Sequence, residues 1–222
     1  MQVTQSSVGR KIIMAVTGTM LIAFVCVHLL GNSSLFFGSA AINAYAQKLH
    51  SLGPVVWIFR LVMLGVFAVH IIFGIQLTLE NRAATPDKNV QVKRLKTGFA
   101  AETMIVSGLV MLAFVIYHLL HFTVRVTNPE IYVPIPGGKG MVDVFVMMTM
   151  GFQQLFSVIL YVIGMFFLFL HVGHGFQSMF QTYGLSNDRT LPVMENLSKL
   201  VGAVLLVGYV SIPLLIICGI IR

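Results

Sequence analysis

Five long apolar segments, each near the length of a membrane-spanning helix, constrain this chain more than any other feature. They cover residues 12–32, 55–79, 98–124, 144–177 and 197–221. About 20 mostly apolar residues are enough to cross the hydrocarbon core as a helix, and only 9% of the residues are charged. We therefore expect an all-α membrane protein, with five transmembrane helices in a bundle that forms a single domain over residues 1–222.

The basic residues predict how these helices are oriented in the membrane. Nine of the fourteen Lys and Arg residues lie before the first segment, in the connection after the second, or near the connection from the fourth to the fifth: Arg10, Lys11, Arg82, Lys88, Lys93, Arg94, Lys96, Arg189 and Lys199. Cytoplasmic connections carry an excess of Lys and Arg, so we expect a cytoplasmic N-terminus and an external C-terminus. The same rule accounts for the net charge of +7, which therefore gives no support to nucleic-acid binding.

Two short repeats each place a histidine inside an apolar segment. TGTMLIAFVCVHLL, which contains His28, and SGLVMLAFVIYHLL, which contains His118, share seven of fourteen positions. HIIFGIQ, which starts at His70, and HVGHGFQ, which starts at His171, share His, Gly and Gln at the same spacing. The repeats predict that helices 1 and 2 are related to helices 3 and 4, as if one helical hairpin had been duplicated.

The depth of these histidines sorts them into two pairs. With a rise of about 1.5 Å per residue, His28 and His118 fall in the outer half of the membrane, and His70 and His171 in the inner half. Two imidazoles at one level inside a helical bundle are suited to bind one haem iron from both sides. We therefore predict two non-covalently bound haems, with both axial positions filled, which favours electron transfer over oxygen chemistry.

Two other functions use histidines in a membrane. A zinc site needs three or four ligands that converge on one ion, whereas these histidines divide between two levels and the apolar segments contain almost no carboxylates. A proton-coupled transporter with a histidine relay is the second alternative, and the shortage of carboxylates weakens it as well. A single neutral histidine bonded to a neighbouring helix is ordinary, but histidines on four consecutive helices are not, because ionisable residues are rare in transmembrane segments.

Five motifs together resemble a known family: AFVCVHLLGNSSLF, NAYAQKLHSLGPVVWIFR, FAVHIIFGIQL, FVIYHLLHF and FLHVGHGFQSMFQTYG. They are similar to the large di-haem cytochrome b membrane anchor of succinate:quinone oxidoreductases, which include fumarate reductases, in its single-subunit, five-helix form. The resemblance covers essentially the whole chain. It implies an outer haem b on His28 and His118 and an inner haem b on His70 and His171, the same pairs that the depth argument predicts.

The resemblance also implies partners and a location. A flavoprotein subunit and an iron–sulfur subunit would carry out the dicarboxylate chemistry, so no catalytic residue is expected in this chain. The chain would exchange electrons with membrane menaquinone or another quinone, as a multi-pass protein of the bacterial cytoplasmic (inner) membrane and a part of the respiratory chain and the tricarboxylic acid cycle. The basic connection 81–97 is a candidate docking segment for the iron–sulfur subunit, and a dimer or trimer of complexes is compatible with the sequence.

The cytochrome b subunit of another respiratory dehydrogenase, such as a hydrogenase or a formate dehydrogenase, is an alternative with the same di-haem chemistry.

The sequence departs from some members of the family at one position. Some fumarate reductases of this type carry a glutamate, proposed to move protons, two residues before the fourth haem ligand. Phe169 occupies that position here, which argues against the same proton route.

Polar residues at the expected outer side are candidates for quinone binding, because a quinone needs hydrogen-bond donors and a proton source at its carbonyls. The candidates are Asn43, Tyr45, Gln47 and His50, which precede the second segment, and His121, one turn after His118. An ordinary interfacial position is the alternative for each of them. For His121 and His174, bonding to haem propionates or to the backbone is a further alternative, since residues i and i+3 share a helix face.

Overall fold

The structure is a computed structural model that describes residue 4 and residues 6–84, 103–135 and 141–222. Within these ranges the chain forms seven α-helices: α1 (Ser7–Asn32), α2 (Ser39–Ser51), α3 (Pro54–Ala83), α4 (Met104–His118), α5 (Val144–Phe152), α6 (Leu155–Thr182) and α7 (Leu191–Ile217). Short 3₁₀ segments at Ser33–Phe37 and Pro129–Ile131 and a π-helical turn at Leu119–Thr123 complete the helical structure. The same ranges contain no β-strand.

Five of the described helices are long and apolar enough to cross a membrane. They are α1 with its 3₁₀ extension, α3, α4 with its π-helical turn, α6 and α7, and they contain 20 to 31 residues each. The prediction of an all-helical fold with five helices long and apolar enough to cross a membrane is therefore confirmed for the described residues, which suggests a multi-pass membrane protein.

Several predicted helix boundaries are wrong. The segment 144–177 was expected to be one helix, but it forms the short α5 and the long α6, separated at Gln153 and Gln154, where Gln154 has an extended conformation (φ −84°, ψ 112°). The last helix begins at Leu191, six residues before the predicted start, with a proline in its first turn, and it ends at Ile217. The helix α2 was not predicted. Residues 98–102 and most of the basic connection 81–97 lie outside the described residues.

Four of the long helices form a ring. Helix α1 packs against α3 and α6, and α4 packs against α6 and α3. Across this ring, α1 therefore stands opposite α4, and α3 opposite α6. Helix α7 packs on the outside of the ring, mainly against α6, where Leu29, Leu168 and Leu205 belong to one buried cluster.

The short helices α2 and α5 lie together at one end of the ring. Helix α2 packs against α5, and α5 also contacts α6 and α7. We call this end, where α4 finishes at His118, the outer end, and the end where α1 begins the inner end, following the predicted orientation. A second buried cluster, which includes Leu35, Ile42 and Phe152, fills the space beneath the two short helices.

Candidate functional site

The structure brings four histidines together as two pairs inside the ring of helices. The outer pair is His28 of α1 and His118 of α4, with ring centroids 6.0 Å apart and ring planes at 86°. The inner pair is His70 of α3 and His171 of α6, with centroids 6.3 Å apart and planes at 68°. Each pair therefore bridges two helices that stand opposite each other in the ring.

This spacing suits a metal atom between the two rings of each pair. An imidazole nitrogen binds a transition metal at about 2 Å, and the ring centroid lies about 1 Å beyond the nitrogen. Two imidazoles on opposite sides of one metal atom therefore have centroids about 6 Å apart, as both pairs do. The donor set also suits haem iron, for which histidine is a standard axial ligand.

Hydroxyl groups orient both rings of the inner pair. The Oγ1 atom of Thr17 lies 3.0 Å from Nδ1 of His70, and the Oγ atom of Ser107 lies 3.1 Å from Nδ1 of His171. Thr17 is on α1 and Ser107 is on α4, so each hydroxyl holds the histidine of a neighbouring helix. Both side chains are buried, with exposed fractions of 7% for Thr17 and 0% for Ser107.

The hydrogen bonds of these two hydroxyls favour one tautomer of each inner histidine. The single hydroxyl proton of Thr17 is donated to the backbone oxygen of Ile13, at 2.8 Å, and that of Ser107 to the backbone oxygen of Met104, at 3.0 Å. When each hydroxyl donates to its backbone oxygen, it can only accept from the histidine, which places the proton on Nδ1 and keeps the lone pair on Nε2. A metal-binding histidine is usually held in this way, with its second nitrogen donating to a fixed acceptor.

A glycine of the neighbouring helix lies beside each inner histidine ring. A Cβ atom at Gly18 would be 3.4 Å from Cε1 of His70, and one at Gly108 would be 3.4 Å from Cε1 of His171. Gly18 follows Thr17 and Gly108 follows Ser107. A hydroxyl residue followed by glycine therefore lies beside each inner histidine. The residues around the inner pair therefore fit a bis-histidine haem in the spacing of the rings and in the hydroxyl groups beside both Nδ1 atoms.

The outer pair is held mainly by aromatic side chains. His28 stacks on Phe24, with centroids 5.5 Å apart and planes at 17°. Nδ1 of His118 lies 3.0 Å from the hydroxyl of Tyr161, which places a hydrogen-bond partner behind this ring too. The hydroxyl of Tyr209 donates to the backbone oxygen of Val25 at 2.7 Å, so α7 is bonded to α1 one turn before His28.

His121 is fully buried and shares Tyr161 with His118. Its Nδ1 atom lies 3.3 Å from the hydroxyl of Tyr161, and its ring stacks on Phe122 at a centroid distance of 4.1 Å. A ligand role for His118 requires Nδ1–H to donate to Tyr161, and Tyr161 then donates to His121. Nε2 of His121 has no hydrogen-bond partner among the described residues. His121 belongs to the π-helical turn, a local geometry that is frequent at functional sites.

A segment beyond α4 closes over His121. The hydroxyl of Tyr132 donates to the backbone oxygen of His121, and burial raises the pKa of Tyr132, so this phenol stays protonated as a donor. The Asn128 amide donates to Gln154 at 3.0 Å, which ties the same segment to the start of α6. The segment that contains Asn128 and Tyr132 therefore covers the outer pair at the end of the ring where α5 lies.

The other quinone candidates have different surroundings. Asn43 uses both polar atoms of its side chain on the start of α5: it donates to Asp143 at 2.9 Å and accepts from the backbone nitrogen of Val144 at 2.8 Å. The ring of Tyr45 lies against the backbone of Gly31, one turn after His28. Gln47 and His50 are exposed on α2. The structure brings His121 into contact with the outer pair and leaves His50 at the surface.

Thr17, Ser107 and Tyr161 were missed by reasoning from the sequence. A signal for the first two was present, since Thr17 precedes His28 by eleven residues and Ser107 precedes His118 by eleven, at equivalent positions of the repeat. Eleven residues make about three helical turns, so the hydroxyl and the histidine lie on the same face of α1 and of α4. Tyr161 has no counterpart in the repeats.

Comparison with family models, with curated proteins and with solved structures gives no match to this chain.

Proposed function

We propose that the chain is the di-haem cytochrome b anchor of a succinate:quinone oxidoreductase, and that it passes electrons between an iron–sulfur subunit and membrane quinone. In this proposal the N-terminus is cytoplasmic, and His28 with His118 and His70 with His171 are the axial ligands of the outer and inner haem b. The dicarboxylate reaction belongs to a flavoprotein partner. The protein then resides in the bacterial cytoplasmic membrane.

The observation that carries this proposal is the geometry of the two histidine pairs. Each pair joins opposite helices of the ring with ring centroids about 6 Å apart, the spacing that two ligands of one metal atom require. At the inner pair each Nδ1 atom lies within hydrogen-bond distance of a hydroxyl, and a ligand role requires these Nδ1 atoms to donate so that both Nε2 lone pairs serve ligation. A proton relay does not require rings fixed in this tautomer, and the inner pair has no carboxylate among its hydrogen-bond partners in the described part of the chain.

The contribution of the chain is to hold two redox groups at fixed depths. Haem b, when bound, supplies one-electron chemistry at each pair. Thr17 and Ser107 keep the inner rings in the ligating tautomer, and Tyr161 does the same for His118. Each pair would hold a haem iron through two imidazoles, which would leave no position for oxygen or substrate and would restrict the chemistry to electron transfer.

The two depths define the direction in which the membrane potential acts. Eleven residues separate Thr17, which holds the inner pair, from His28 of the outer pair, or about 16 Å along α1. With the cytoplasm negative, an electron that moves outward is driven by the potential, by about 2.3 kcal/mol per 100 mV for a full crossing. Oxidation of succinate by a low-potential quinone needs such help, so menaquinone is the quinone that this arrangement favours. His121 is the candidate donor nearest to the outer pair.

Reduced-minus-oxidised spectra of the purified protein, combined with a pyridine haemochrome assay, test the proposal. We expect two haems b per chain. His70→Ala and His171→Ala should each remove the inner haem and leave the outer one, because each removes one of the two ligands of the same iron. Absence of haem b from the wild-type protein would refute the function, and loss of only the outer haem from either variant would refute the pairing.

Purification of the native complex from membranes tests the partner. A flavoprotein together with an iron–sulfur subunit is expected to copurify with the chain. A nickel or molybdenum enzyme in their place would show that the chain serves another respiratory dehydrogenase, with the same haem ligands.

A further inference from the structure

Three buried side-chain nitrogens lack a hydrogen-bond partner among the described residues: Nε of Arg10, Nε2 of His121 and Nε of Arg125. Buried polar groups in folded proteins nearly always have partners, and an exception calls for an explanation such as a bound group. Two of the three atoms belong to arginines, one at each end of the ring of helices. An N–H of a buried guanidinium points to an anionic acceptor.

Arg10 lies on the face of α1 that carries the residues of both histidine pairs. It precedes Thr17 by seven residues and His28 by eighteen, which are close to two and five whole helical turns. Its side chain is 11% exposed; one terminal nitrogen pairs with Glu80 of α3 at 2.6 Å, and the other donates to the backbone oxygen of Thr4 at 3.0 Å. Its Nε–H remains free although Glu80 is close. Arg10 is thus a buried cation about 10 Å from Thr17 along the helix, on the inner side of the inner pair.

Arg125 occupies the corresponding position beyond the outer pair. It follows His118 by seven residues and is the single described non-glycine residue with a positive φ, at 67°. The backbone nitrogen of Val126 donates to the backbone oxygen of Leu120 at 3.0 Å, so the left-handed Arg125 ends the π-helical turn. The guanidinium is half-buried over the ring of Tyr132, 5.6 Å from its centroid, and no carboxylate of the described residues pairs with it.

We propose that Arg10 and Arg125 bind the propionate carboxylates of the inner and outer haem, respectively. This inference rests on the proposed function. It explains why two partly buried arginines at opposite ends of the ring both keep an unpaired Nε–H among the described residues. It also assigns an orientation, with the propionates of the inner haem toward the inner end and those of the outer haem toward the outer end.

Midpoint potentials of the two haems, measured by redox titration of the purified protein in detergent free of anionic lipid, test the inference. Loss of a cation beside a propionate destabilises the reduced haem, so Arg10→Gln should lower the potential of the inner haem alone. Arg125→Gln should lower that of the outer haem alone. The His70→Ala variant identifies which potential belongs to which haem. Because anionic lipid is absent, a shift cannot come from a lipid headgroup bound to the same arginine.

Two matched controls separate a haem contact from a structural role. Arg10→Gln and Glu80→Gln both break the ion pair between these residues. A purely structural role of that pair predicts the same loss of bound haem and of stability in both variants, whereas a propionate contact predicts that only Arg10→Gln lowers the inner potential. Arg60 also lies over an aromatic ring, at 4.9 Å from the centroid of Trp57, but it is exposed, so Arg60→Gln should leave both potentials unchanged.

The charge-conserving variants Arg10→Lys and Arg125→Lys keep the test decisive if a glutamine variant fails to fold. They should stay closer to the wild-type potentials than the glutamine variants. Equal potentials in wild type, Arg10→Gln and Arg125→Gln, with two haems bound in each, would overturn the inference and leave the proposed function intact. A wild-type protein without haem would instead remove the proposed function.

Discussion

The inner histidine pair depends on two single hydroxyl groups for its orientation. Thr17→Val keeps the shape of the side chain but removes the acceptor of the His70 Nδ1–H, which then stays buried without a partner. Such a loss costs about 1–3 kcal/mol. The lost hydrogen bond also lowers the basicity of the ligand, so the ferric state is stabilised less and the midpoint potential of the inner haem should rise in a redox titration.

Ser107→Ala should have the same effect through His171, and neither variant should change the outer haem. Thr78→Val is the matched control, since the hydroxyl of Thr78 donates to the backbone oxygen of Gly74 at 2.8 Å without a histidine partner. A rise of the inner potential in the control as large as in Thr17→Val would contradict a specific role of the Thr17 hydroxyl.

At this scale the sequence identifies histidines far better than the residues that hold them. A histidine in an apolar segment is conspicuous because it is costly there, and the repeats single out four of the seven histidines. A threonine in a membrane helix is not conspicuous, because its hydroxyl bonds to the backbone of the preceding turn wherever it lies. Thr17, Thr78 and Thr149 all do so, and only the fold shows that His70 reaches Thr17.

Among the helices, the close approach of α4 and α6 supports the outer pair. Phe114 of α4 lies against Gly164 of α6, and it also stacks on His118 at a centroid distance of 6.0 Å. A Cβ atom at Gly164 would come within 2.6 Å of Cγ of Phe114. Gly164→Ala should therefore push Phe114 toward His118, destabilise the protein by about 1–3 kcal/mol and alter the spectrum of the outer haem.

Gly65→Ala on α3 is the control for this substitution, since a Cβ atom there meets nothing within 4 Å. It should leave stability unchanged or raise it slightly, because alanine favours a helix over glycine by about 1 kcal/mol. Denaturation by a graded series of detergent mixtures, with absorption spectra at each step, compares the two variants. Equal stability of both would show that α6 moves away from α4 without cost.

Element type was predicted correctly where apolar length decides it, and incorrectly where local geometry does. The five long helices follow from runs of apolar residues, because such runs partition strongly from water into lipid. The break between α5 and α6 could not be predicted in this way, because Gln153 and Gln154 are only two polar residues inside a long apolar run. Asp143 begins α5 by accepting from the backbone nitrogen of Val146 at 3.0 Å, and Asn43 bonds to the same turn from α2, a contact that spans 101 residues.

Across the whole molecule, the ring of four helices explains why the chain carries two histidine pairs. Helix α1 carries Thr17, which holds the inner pair, and His28 of the outer pair, and α4 carries Ser107 and His118 at the same separation. Each of these helices therefore serves both sites. Helices α3 and α6 each contribute one histidine, to the inner pair. Helices α1 and α4 therefore connect the two sites. The eleven-residue spacing along each of these helices sets the distance between the sites.

With the two proposed haems bound, that separation should give the membrane potential a measurable effect on the distribution of electrons between them. The 16 Å between the levels is about half of the hydrocarbon thickness, about 30 Å. A potential of 100 mV should then change the free energy of transfer between the two haems by about 1.2 kcal/mol, about half of the full-membrane value, and the ratio of reduced outer to reduced inner haem by about eightfold.

Right-side-out membrane vesicles with a potassium diffusion potential test this effect. With valinomycin and an inside-negative potential, electrons should shift toward the outer haem, as resolved by the absorption bands of the two haems under redox mediators. Vesicles with equal potassium on both sides are the control and should show no shift. A shift toward the inner haem would mean that the N-terminus is external, because the chain would then lie the other way across the membrane. An unchanged ratio would mean that the two histidine pairs lie at the same depth, and the eleven-residue spacing along α1 and α4 would then run parallel to the membrane plane.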